Sequence, residues 1–174
     1  MEKLLLLTLF VALLLTGCGG VENASPAEKA PAGHNVAGQK APGQTDEDLA
    51  QRARTDAWGL ALAAEDVSPE GLTLRFVQRG GSPTGELETG SPFWLERETA
   101  DGAWAEVEPL MEELAWDMMA YLIHRDGDTE LEVKWSGLYG ELEAGSYRLG
   151  KTVMDFRAAG DYDQRDYYAY FTVA

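Results

Sequence analysis

The chain has 174 residues, with 30 Asp and Glu against 14 Lys and Arg, a formal net charge of −16 and one cysteine. This length leaves room for one domain beyond an N-terminal leader. A single cysteine forms neither an intrachain disulfide nor a cysteine-type zinc site. The acidic balance argues against nucleic acid, whose binding draws on Lys and Arg to neutralise phosphates, and against anionic lipid heads.

The leader comes first. Lys3 precedes the apolar run 4–15, LLLLTLFVALLL. Twelve residues are too few to span a bilayer as a helix, which takes about twenty, but they suit a signal-peptide core. Leu15-Thr16-Gly17-Cys18 follows directly. This order resembles the lipobox of bacterial lipoproteins. The resemblance implies cleavage before Cys18, acylation of its thiol and anchoring on the extracytoplasmic face of a cell membrane. Acyl chains contribute roughly 0.8 kcal/mol per buried methylene, so two or three hold stably. The leader would then be residues 1–17.

Residues 18–54 would be the lipidated cysteine and a linker. Ala, Gly and Pro dominate here and no aromatic residue is present, so the ordering entropy has no apolar burial to offset it. A tether of this length reaches about 30–36 Å. Asp46, Glu47 and Asp48 could start a short helical turn at its end. His34 reads as a solvated residue of the tether.

The folded domain is expected over 55–174. It holds all five tryptophans, with 24 acidic and nine basic residues, a charge of −15. Alternation of period two dominates. Trp58, Leu60 and Leu62 share a face. Leu72, Leu74 and Phe76 follow the turn signal Ser68-Pro69-Glu70-Gly71. Residues 93–97 form a further strand, joined to 104–107 through the hairpin turn Asp101-Gly102. Residues 110–123 fit both a helical spacing (Leu110, Leu114, Met118, Leu122) and an alternation from Trp116. We read a turn near Glu112 and Glu113 and a strand over 118–123. Leu131, Val133 and Trp135 alternate, as do Tyr147 and Leu149, and residues 167–173 make a last aromatic, β-branched strand. About seven strands with regular turns indicate an all-β, antiparallel sandwich.

Residues 142–149, LEAGSYRL, carry the sharpest fold signal. A Gly two residues before a Tyr at a late strand resembles the tyrosine corner of Ig-like sandwiches, with Tyr147 as the corner residue. Where such domains often carry the second disulfide cysteine, this chain has Leu149, with Leu74 in the opposing place. Together with Gly71-Leu72-Thr73-Leu74, the segments 93–97 and 102–107, and 135–149, the pattern resembles bacterial Ig-like domains of lipoproteins and surface proteins. The resemblance spans about residues 57–174 and implies an extracytoplasmic β-sandwich with no catalytic residue to carry over.

The chemistry-bearing residues are sparse. Asp161, Asp163 and Asp166 have a spacing that could ligate Ca²⁺ from a loop, but the glycine and bidentate Glu of an EF-hand are missing, and a solvated acidic hairpin loop explains them better. Asp126-Gly127-Asp128 is first of all turn chemistry. Tyr162, Tyr168 and Tyr170 are candidates for binding. They belong to an aromatic group with Tyr167, Trp135 and Tyr139, of which alternation must bury about half. His124 has no nucleophile partner, and no Gly-x-Ser-x-Gly elbow, P-loop or GxGxxG is present. No cofactor is therefore expected. The leading reading is a non-enzymatic, lipid-anchored module that meets another envelope protein, a peptide or a glycan. The alternative is a calcium-binding or enzymatic envelope lipoprotein that uses the acidic loops. A third is an accessory domain of a larger assembly.

Overall fold

The computed structural model describes residues 45–111 and 115–174. The leader with Cys18, the tether as far as residue 44 and the turn expected at Glu112 and Glu113 lie outside the described residues. The described chain forms α1 (Asp46–Thr55), β1 (Leu60–Ser68), β2 (Gly71–Gln78), β3 (Glu86–Gly90), β4 (Trp94–Glu98), β5 (Trp104–Glu106), β6 (Ala120–Leu122), β7 (Asp128–Lys134), α2 (Ser136–Tyr139), β8 (Gly145–Ala158) and β9 (Asp161–Val173). All strand pairs are antiparallel. One sheet has the order β1-β2-β7. The other has the order β5-β4-β8-β3-β6, with β9 also on β8. This is the antiparallel sandwich expected from the alternation, with nine described strands against an expectation of about seven.

The core between the sheets follows from period two. Leu60, Leu62, Leu72, Leu74 and Phe76 of one sheet meet Leu95, Leu149, Val153, Ala169 and Phe171 of the other. Each fully buried aliphatic or aromatic side chain contributes about 1.5–3 kcal/mol. Trp135 is wholly buried, stacks on Phe171 at 5.5 Å and donates its indole N–H to the Pro69 carbonyl at 2.8 Å. Leu74 and Leu149 are both fully buried in this one cluster. Tyr147 is a tyrosine corner: its hydroxyl donates to the Glu143 carbonyl at 3.0 Å and its ring stacks on Phe171 at 5.7 Å.

Four differences from the sequence reading have physical causes. First, α1 is a complete helix. Thr45 and Asp48 form a capping box, in which each side chain satisfies the other's free amide. Leu49 and Ala53 pack on Ala61, Ala63 and Val77, so β1 is covered on both faces. The folded body reaches back to Thr45.

Second, β3 was not read at all, since Leu87 is its one buried aliphatic residue. Its other buried position is Thr89, whose hydroxyl donates to the Thr152 carbonyl at 2.8 Å.

Third, β8 runs far past Leu149. Its inward positions 151 and 155 are a lysine and an aspartate, which hide the alternation. Both are held by backbone. The Lys151 ammonium donates to the carbonyls of Gly90, Ser91 and Pro92. Asp155 accepts from the amides of Thr84 at 2.7 Å and Gly85 at 2.5 Å. Fourth, Asp161, Asp163 and Asp166 stand on β9, not in a loop, and the tight turn is left to Gly160 at φ +78°. The strand expected over 118–123 shortens to β6.

Candidate interaction face

The outer face of the β8-centred sheet gathers the large amphipathic side chains. Register places Trp94 opposite Gly150 and Glu96 opposite Arg148 across β4 and β8, then Arg148 opposite Tyr170 and Gly150 opposite Tyr168 across β8 and β9. Because alternate residues share a face, Trp94, Glu96, Arg148, Tyr168 and Tyr170 stand together. Trp104 joins them from β5.

Gly150 is required here. A Cβ at that position would lie 2.1 Å from the Trp94 indole, so the ring rests flat on the strand backbone. Trp94 meets Tyr168 edge to face at 5.8 Å, and Trp104 meets Tyr170 likewise at 5.6 Å. The Arg148 guanidinium lies 4.3 Å from the Tyr168 ring centre and 4.9 Å from that of Trp104. It is ion-paired with Glu96. Stacking of this kind fixes a guanidinium as well as attracting it. Burial, reinforced by the Glu96 carboxylate, pushes the Tyr168 phenol upward, so it stays neutral at ordinary pH.

The aromatic candidates separate cleanly. Tyr168 and Tyr170 are on this face. Trp135, Tyr139 and Tyr167 face inward or are buried, and the Tyr167 hydroxyl donates to Asp56 at 2.9 Å. Tyr162 is exposed and pairs with Phe156 near the hairpin tip. It stands six residues from Tyr168, about 20 Å along the strand. The sequence reading did not place Trp94, Trp104 or Arg148 on a binding face. The signal that could have found them is the shared parity of Trp94 with Glu96 and of Arg148 with Gly150.

The carboxylate candidates do not converge. Arg157 donates to Asp161 at 2.8 Å and to Asp163 at 3.0 Å. Asp166 is on the opposite strand face, where it accepts from the Thr152 hydroxyl at 2.7 Å. Among the described residues no group of three or more His, Cys, Asp or Glu is placed to hold a metal ion. Asp126 accepts from the Gly80 amide at 3.2 Å, and Asp128 pairs with Arg75 and Arg79. His124 is exposed beside Arg125 on a shallow cleft of about 200 Å³, below the roughly 300 Å³ at which small-molecule pockets begin.

Among the described residues no helix is long and apolar enough to cross a membrane. No curated protein and no solved structure gives a significant match to the chain. The sequence profile of a bacterial Ig-like domain matches residues 56–172, from just before β1 to the end of β9. With two antiparallel sheets, a buried Trp135 and a tyrosine corner at Tyr147, the chain belongs to the bacterial Ig-like domain family.

Proposed function

We propose that the protein is a lipid-anchored, extracytoplasmic interaction module that binds through the aromatic face of β5, β4, β8 and β9. The observation that carries this reading is the composition of that face. Trp, Tyr and Arg are the residues that dominate binding energy where proteins meet, and here Trp94, Trp104, Tyr168, Tyr170 and Arg148 occupy one surface without being needed in the core. Their mutual contacts hold them in place before any partner arrives, which lowers the ordering cost of binding. The partner class is an envelope protein, a peptide or a glycan. The anchor rests on the lipobox-like Leu15-Thr16-Gly17-Cys18. The module has no enzymatic role in this reading.

Two measurements test it. The full chain expressed in a bacterium should fractionate with membranes, and Cys18→Ser should release it; a variant that stays lipidated sinks the anchor. Titration of isolated envelope proteins and cell-wall fragments, followed by tryptophan fluorescence, should show binding that Tyr168→Ala with Tyr170→Ala weakens at least tenfold. A double variant that melts normally and binds unchanged removes the face from the reading.

A further inference from the structure

Among the described residues, six large hydrophobic side chains are exposed, and five lie between positions 110 and 122: Leu110, Met111, Met118, Met119 and Leu122. The described parts of this strap are pinned. The Val107 amide donates to the Leu95 carbonyl at 2.9 Å and the Leu110 amide to that of Leu138 at 2.7 Å. Trp116 sits edge-on against Phe93 at 5.2 Å. Asp117 accepts from the Ser91 hydroxyl, and from the Met119 amide at 3.3 Å. The backbone on either side of residues 112–114 is thus held while Leu110, Met111, Met118 and Met119 face water, and Met118 is fully exposed at 101 %. A concentration of apolar surface of this kind marks an interaction site.

The strap leads into β6, the last strand of its sheet. Leu87 accepts from the Ile123 amide at 2.8 Å, and Leu122 lies opposite Glu88. Antiparallel pairing turns alternate amides to opposite sides. The amides of Tyr121 and Ile123 therefore point to β3, and those of Ala120 and Leu122 point outward. No described strand lies on that side. This edge is separate from the aromatic face along the length of β8: β6 lies beyond β3, which pairs with residues 153–156, whereas β5 lies beyond β4, which pairs with residues 147–150.

We infer that β6, with Met118 and Met119 before it, takes up an extended segment of a partner protein as an added strand, and that this segment alternates basic with apolar residues. Backbone bonds at Ala120 and Leu122 supply the pairing, as in other strand additions. The unbranched, polarisable methionines adapt to varied apolar side chains. Charge selects the occupant. Glu88 faces Leu122 across the ladder, Glu108 and Asp117 border the strap, and the domain carries −15. That field attracts cations, and it opposes a second copy, which would bring two chains of −16 edge to edge.

The test uses the full chain and two fluorescent ten-residue peptides, one alternating Lys with Val and one alternating Glu with Val, beside phosphatidylcholine vesicles. The Lys peptide should bind at least tenfold more tightly than the Glu peptide. It should also slow amide hydrogen exchange at Ala120 and Leu122 at least tenfold. Leu122→Lys, and independently the fully exposed Met118→Lys, should each weaken binding severalfold; if Leu122→Lys fails to fold, Met118→Lys decides. Equal binding of the two peptides, no binding of the Lys peptide, unchanged exchange at both amides, or uptake by the vesicles in place of the peptide would overturn the inference.

Discussion

Alanines and a valine lie on the outer face of the β1-β2-β7 sheet under α1, whereas that of the β8-centred sheet carries two tryptophans, two tyrosines and an arginine with no described helix laid over them. Ala61, Ala63 and Val77 are small because Leu49 and Ala53 of the helix must come close. Around that contact Arg75 pairs with Asp46 of the helix at 2.8 Å, Glu65 of β1 at 3.0 Å and Asp128 of β7 at 2.5 Å. These three carboxylates raise the already basic guanidinium further. Trp94, Trp104, Tyr168 and Tyr170 are large, half-buried side chains with no described helix packed over them. Residue size on an outward face thus follows what is packed on it: small side chains under α1, large ones where no described helix lies.

The covered face should break first. Leu49→Ala removes the main apolar contact of α1, and cavity formation in such a site costs about 2–5 kcal/mol. The unfolding free energy measured in urea should fall by about that amount; a fall under roughly 0.5 kcal/mol would mean that α1 does not stabilise the sheet.

The interior between the two sheets gives the next largest effect. Lys151 is fully buried, and burial pushes its ammonium down to about 8. Lys151→Met leaves the Gly90, Ser91 and Pro92 carbonyls without their donor, a loss of about 1–3 kcal/mol at pH 7. The pH dependence has a definite sign. From about pH 8 the folded chain gives up this proton, while the unfolded lysine keeps it to about 10.5, so the unfolded state binds more protons and wild-type stability rises. The gap between wild type and variant should therefore widen by about 2 kcal/mol from pH 8 to 10. Below pH 10 the buried Tyr147 and half-buried Tyr167, whose phenols burial raises, do not oppose this trend. Parallel stability curves for the two proteins over that range would show that Lys151 does not titrate.

The open face should give the smallest change in stability. Trp104→Ala loses an edge contact and a cation–π contact on a half-exposed surface, together about 0.5–1.5 kcal/mol. Thermal melting should shift by only a few degrees, while partner binding is lost. A larger destabilisation than that of Leu49→Ala would reverse the comparison and make the aromatic face structural.

Much of the fold is legible in the residues themselves. Tyr147 after Ala144-Gly145 announces the corner, Trp135 ends an alternating strand, and Asp101-Gly102 turns β4 into β5 with Gly102 at φ +81°. Less of the site is legible. Tyr168 and Tyr170 are visible as candidates, but their neighbours Trp94, Trp104 and Arg148 come from strands distant in sequence. Asp161 and Asp163 suggest a ligand set in the sequence, yet the fold gives them to Arg157.

The class of fold, the strand faces and the acidic surface follow from residue order alone, because alternation and turn chemistry act between residues a few positions apart. Distant partners set the rest: α1 closes one face, Lys151 and Asp155 continue β8 inward, and Trp104 and Tyr168 close on Arg148. Each of these depends on partners brought together across the chain, such as the carbonyls of residues 90–92 reaching Lys151, and on the register that sets Trp94 on Gly150. Register is a property of paired strands, and no single strand carries it.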